Sequence, residues 1–150
     1  MNDEPMLEVV VFNLASERCA VESVYVREVH PVTEVTPLPC TPPCIGGVVN
    51  VRGDILAVVD LAVLFDLKAS RVEPLTHVIV VEHADMLFGI LADASIETAT
   101  LSIGELGELH PSRGSIPGAC IRGITKDRLV VLDLPGIATD PRLLVSDHVE

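Results

Sequence analysis

The sequence predicts an all-β protein built from two similar small units with short accessory helices, on three observations. Valine alone supplies 23 of the 150 residues, while aromatic residues make up 3% and tryptophan is absent. A core of valine, leucine and isoleucine favours pleated strands, where branched side chains lose little rotamer freedom. Apolar runs of strand length alternate with glycine, proline and acidic turn residues. The chain also resembles itself: residues 7–21 (LEVVVFNLASERCAV) align without a gap on residues 76–90 (THVIVVEHADMLFGI) at an offset of 69. Residues 55–61 (ILAVVDL) align likewise on residues 128–134 (RLVVLDL) at an offset of 73. The preserved order reads as duplication within one domain, residues 1–150, with pseudo-repeat lobes at roughly 7–67 and 76–138.

Strands are expected in order at 7–14, 18–22, 46–52, 54–60, 76–83, 86–92, 118–125 and 128–133. The third and fourth form a hairpin, because Val48, Val49 and Val51 precede the turn pair Gly53-Asp54, and Ile55, Leu56, Val58 and Val59 follow it. A short helix is expected at 61–67, where Leu61, Leu64 and Phe65 share a face, and another at 103–106 after Ser102 as a cap. Asp60 and Asp133 occupy matching repeat positions, which suits capping of short helices beginning at Leu61 and Leu134. Residues 68–74 (KASRVEP) read as the linker between repeats, residues 108–117 as a loop, and the C-terminal tail as frayed.

Composition narrows the function classes. The net charge is −12 and the ten Lys and Arg residues are scattered, so a phosphate backbone would meet repulsion and nucleic acid is not an expected partner. The longest uncharged run, 35–51, carries Pro37, Pro39, Pro42 and Pro43 and does not suit a membrane-spanning helix. The start, MNDEPM, is acidic where a signal peptide needs a basic and then an apolar region, so the cytoplasm is the expected location. Cys40, Cys44 and the upstream His30 raise a zinc hypothesis. The C-x3-C spacing, the stiffening by Pro42 and Pro43 and the isolation of Cys19 and Cys120 argue against it, so no metal or cofactor is expected. No G-x-S-x-G elbow or paired catalytic motif is present, and Gly46-Gly47 lacks the lysine and hydroxyl residue of a phosphate-binding loop, so no enzyme is expected.

One stretch is more specific. Asn50, Arg52, Gly53, Asp60 and Leu61 stand as in the N-(L/V)-R-G…D-L pattern of the CheW-like domain, with Pro39, Pro42 and Gly47 ahead of them. Phe12 and Leu14 are similar to that family's opening F-x-L, and Val24, Val26, Glu28 and Val29 to its V-x-V-x-E-V. Phe88-Gly89-Ile90 with Asp93 resembles its middle segment, and Gly123-Ile124 with residues 129–134 its closing strands. Val51, Ala57 and Ala62 depart from the commoner leucine, proline and arginine.

The resemblance implies two five-stranded SH3-like barrels packed around a shared core, with strand exchange between lobes allowed. It also implies a noncatalytic adaptor that couples the cytoplasmic tip of a chemoreceptor to the regulatory domain of a CheA-type histidine kinase, with contacts between copies of the adaptor as a further option. On that reading Val24, Val26, Val29 and Arg52 belong to a receptor-binding groove. Arg52 either braces Glu28 and nearby carbonyls or meets the receptor directly. Gly47 and Gly53 serve the backbone, and Asn50 and Asp60 the motif. The alternatives are an adaptor of a pathway such as surface motility, or a small-ligand or metal-binding β protein.

Overall fold

The computed structural model describes residues 5–14, 17–32, 34–39, 43–67, 75–107, 112–113 and 116–140. The linker expected at 68–74, the expected frayed tail at 141–150 and Cys40 lie outside the described residues.

In the first half run β1 (Met6–Leu14), β2 (Glu17–Glu22), β3 (Val26–Pro31), β4 (Ile45–Val51), β5 (Asp54–Val59) and the helix α1 (Leu61–Leu64). The second half holds β6 (His77–His83), β7 (Met86–Ala92), β8 (Glu97–Ser102), β9 (Ser112–Arg113), β10 (Ile116–Pro117), β11 (Ile121–Ile124), β12 (Val130–Leu132) and α2 (Leu134–Ala138). Two five-stranded sheets result, ordered β11-β12-β2-β1-β8 and β4-β5-β7-β6-β3, which fits the expected pair of SH3-like barrels.

Each sheet draws on both halves of the chain, so the lobes do not coincide with the contiguous segments 7–67 and 76–138. The first hairpin, β1–β2, pairs with β8 and β12, while β3 and β5 pair with the second-half hairpin β6–β7. The two sheets nevertheless correspond strand for strand. Applying the sequence offsets to the parallel pair Val58↔Gly89 gives Val131↔Ala20, which is observed. The antiparallel pair Val9↔Ala99 likewise becomes Val78↔His30. Both closing hairpins carry a bulge, between Ile45 and Gly47 and between Ile121 and Gly123.

The continuous apolar runs in β1 and β6 follow from burial on both faces. Val10, Phe12 and Leu14 on β1 meet Ile79 and Val81 on β6 in a core shared by the two sheets. The alternate residues face inward within each lobe: Val9 and Val11 in one, Val78 and Val80 with Val49, Val51, Leu56 and Val58 in the other. Cys19, Cys44 and Cys120 are buried in the shared core.

Several boundaries differ from the sequence reading. The strand β8 (ETATLS) was not expected, and β3 was expected from the family pattern alone. The strand placed at 118–125 begins as a 3-10 turn, Gly118–Cys120, because Pro117 precedes it and Gly118 opens it. The first helix is one turn, and the helix at 103–106 is a 3-10 turn, Ile103–Glu105, held by a capping box between Ser102 and Glu105. Within 108–117, β9 and β10 form a two-residue ladder.

Candidate functional site

The expected site residues gather around β3 and the tip of the β4–β5 hairpin. At the tip, Arg52 adopts φ 54 and Gly53 φ 91, a pair of left-handed residues that closes a tight hairpin. Asn50 holds this turn, its Oδ1 accepting from the Gly53 N–H at 2.9 Å. Arg52 thereby leaves the tip towards β3, where its Nε lies 3.2 Å from Oε1 of Glu28. The same carboxylate oxygen stands 3.7 Å from Nδ1 of His30. Because β3 and β4 are opposite edges of their sheet, this ion pair ties the two edges together.

Gly47 serves the same junction. Val48 and Thr36 exchange backbone hydrogen bonds of 2.8 and 2.9 Å, and a Cβ on Gly47 would lie 2.2 Å from the Thr36 carbonyl oxygen. Its φ of 140 adds a second reason for glycine. A Cβ on Gly53 would meet nothing within 4 Å, so its requirement is conformational.

A bulge at Arg27 decides which side chains of β3 share a face. Val26 pairs with Val81 and Val29 with Ile79, both residues of the shared core, whereas Glu28 pairs with Val80 and His30 with Val78 inside the lobe. Three residues apart on a regular strand, Val26 and Val29 would point oppositely; the extra residue brings them to one face. Val26 packs on the shared core, and Val29, on the edge strand, is 38% exposed. Val24 is 80% exposed at the centre of the 3-10 turn Ser23–Tyr25 that leads into β3. Arg52 does not join these valines: it meets Glu28, which faces the opposite side of β3.

The turn bearing Val24 is anchored from beneath. Glu22, buried, accepts from Arg122 Nη1 at 2.9 Å, and the Tyr25 ring stands edge-on to His83 at 5.8 Å. Burial pushes the Tyr25 hydroxyl above its ordinary pKa, and the carboxylates of Glu22 and Asp133 push it the same way. This network was missed from sequence because its members are distant in the chain.

Asp60 and Asp133 cap the two short helices as expected. Asp60 accepts from the Ala62 and Val63 N–H groups at 3.1 and 3.4 Å, and Asp133 from Gly136 at 3.0 Å. Their own N–H groups donate to the carbonyls of Cys44 and Cys120, each at 2.8 Å. Also missed was Ile55, 63% exposed just after the turn; once Leu56 and Val58 are taken as inward, alternation places it outward.

Among the described residues no group of three or more His, Cys, Asp or Glu is placed to hold a metal ion, and no helix is long and apolar enough to cross a membrane.

Comparison with known proteins supplies the family. The model of the CheW-like domain matches residues 8–142. A chemotaxis protein CheW of Rhizobium meliloti is 34% identical over 97 residues, 63% of this chain and 61% of the relative. Protein FrzA of Myxococcus xanthus is 30% identical over 102 residues, 68% of this chain and 64% of the relative. Both matches span less than two thirds of the relatives' length. The crystal structure of the scaffolding protein TtCheW from Thermoanaerobacter tengcongensis superposes with a TM-score of 0.76 at 28% identity, covering 89% of each chain. With its family model matched from Glu8 onward over nearly all of its length and two sheets arranged as in that scaffold, this chain belongs to the CheW-like domain family.

Proposed function

We propose that this chain is a noncatalytic coupling adaptor of a chemosensory array in the cytoplasm, joining the helical cytoplasmic tip of a chemoreceptor to the CheW-like regulatory domain of a CheA-type histidine kinase. Its function lies in surfaces, and contacts between copies of the adaptor are part of the same reading. Membership of the family supports the adaptor role, and the difference between two equivalent edges of the molecule supports a site for the receptor.

The edge strands β3 and β8 correspond at an offset of 69 from Glu28 onward, so Val29 answers to Thr98; before the bulge at Arg27 the offset becomes 70, and Val26 answers to Ile96, both packed against the shared core. At the second edge the polar groups satisfy one another: Asp93 Oδ1 accepts from the Ser95 N–H at 2.9 Å, and Ser95 Oγ accepts from the Asn13 N–H at 3.2 Å. At the first edge Val24 and Val29 stand exposed on either side of Val26, which packs on the shared core, and no such closure is present among the described residues. This single difference carries the reading, because an apolar lip at the seam between lobes suits the apolar face of a receptor helix. Each contact of this size is modest, and many engaged together in an array supply avidity.

The experiment is pull-down of the purified chain with the CheA-like kinase and the receptor tip fragment from the same genome, separately and together. Binding to both is expected, and binding to neither overturns the proposal. The similarity to Protein FrzA favours one second reading, an adaptor of a pathway other than flagellar chemotaxis, such as surface motility; genomic neighbours of the coding sequence separate the two.

A further inference from the structure

Between β5 and β7 the sheet is split. The two strands run parallel but register over only two pairs, Val58↔Gly89 and Val59↔Ile90. Continuing that register backwards would set residues 54–57 against residues 85–88. Those two runs instead form the walls of a cleft of about 540 Å³. On their outer sides residues 54–57 pair with β4 and residues 86–88 with β6, so these stretches keep extended backbone, while Asp85 lies in the turn before β7. On the facing side neither has a ladder partner among the described residues. Two extended backbones with facing, unladdered edges are a place for one more strand.

The walls say what kind of strand. Leu56 and Leu87 belong with the core inside the lobe, and Met86 and Phe88 with the shared core, so both faces of an inserted strand would meet apolar surface. Ile55 stands exposed at the mouth. Asp54 and Asp85, both exposed, close the same end, and among the described residues the lining includes no lysine or arginine. The hairpin that builds the cleft runs from Ile45 to Val59, whereas its counterpart in the other lobe runs from Ile121 to Leu132, three residues shorter. In that other lobe Glu17 and Arg18 stand at the positions of Met86 and Leu87.

We propose that this cleft receives an extended segment of a partner polypeptide, about four residues long at roughly 3.3 Å each, apolar in its middle and basic at the end that meets Asp54 and Asp85. Main-chain hydrogen bonds to β5 and β7 supply the contact, and the two carboxylates set the direction. This surface is separate from the valine lip of β3, and the proposal goes beyond the coupling role.

The test uses the full ¹⁵N-labelled chain with two acetylated, amidated hexapeptides, each an apolar run of four valine and alanine residues carrying at one end either two lysines or two glutamates. The lysine peptide is expected to perturb and protect from exchange the amides of residues 54–57 and 85–88, and to bind about tenfold more weakly to the D54N/D85N double variant. Asparagine tolerates the left-handed backbone of Asp85, φ 70, so the variant keeps its fold. Absence of perturbation, perturbation centred on β3, equal binding of the glutamate peptide, or undiminished binding by the double variant each overturns the proposal. So does protection of both runs without peptide, which would mean that the chain's own residues fill the cleft.

Discussion

Arg52 is held by its own neighbours before any partner arrives, since the Asn50 cap sets the turn and Glu28 receives the guanidinium. An ion pair with an arginine 73% exposed adds little stability. Arg52→Ala is therefore expected to change the unfolding free energy by no more than about 1 kcal/mol, while impairing kinase coupling in reconstituted receptor arrays. A full response from arrays built with that variant would sink its assigned role. The two glycines of the hairpin should separate cleanly. Gly47→Ala drives a methyl group into the Thr36 carbonyl and is expected to cost about 3 kcal/mol. Gly53→Ala meets open space and strains only its backbone, at about 1 kcal/mol. Urea denaturation of the two variants reads the difference, and equal costs would contradict the geometry. The residue types of this tip were legible in the sequence, because N-x-R-G is chemistry confined to four positions. The partner of Arg52 was legible only as one of two options, since nothing local says which carboxylate a folded chain brings alongside.

At the scale of elements, the hairpins and the capped helices follow from local patterns. A turn glycine, valine-rich runs and an aspartate before each Leu are all read within a few residues, although the hairpin turns on Arg52-Gly53, one residue before the expected Gly53-Asp54, because both left-handed positions fall there. Asp60→Ala and Asp133→Ala are each expected to destabilise by about 1 kcal/mol, and their effects should add, because the two caps serve different helices. Denaturant midpoints of the single and double variants check this. β8 escaped the sequence reading because Glu97, Thr98 and Thr100 break its apolar content, and an edge strand needs only one packed face. The bulge at Arg27 escaped as well. Without it the spacing of Val26 and Val29 contradicts a shared face, and only the pairing of β3 with β6 reveals the inserted residue.

For the whole molecule, duplication is visible as two offsets, and the exchange of strands between lobes only as an option that the family resemblance allows, because sequence similarity ranks which strands are alike and not which of them pair. Exchange has a direct consequence: neither half contains a complete sheet. Fragments 1–67 and 75–150 are expected to be unfolded apart and to recover native circular dichroism when mixed, whereas independent folding of either would contradict the observed topology. The pseudo-symmetry also supplies the control that the functional account needs, since Val29 and Thr98 occupy equivalent edge positions on equivalent strands, one on the open lip and one on the closed. The decisive measurement is titration of the receptor tip fragment into V29K and T98K by calorimetry, with the kinase regulatory domain titrated in parallel. The account requires V29K to lose about tenfold or more in receptor affinity, roughly 1.4 kcal/mol, with T98K unchanged and both variants still binding the kinase domain. Equal losses in the two variants, or no loss in V29K, would contradict it.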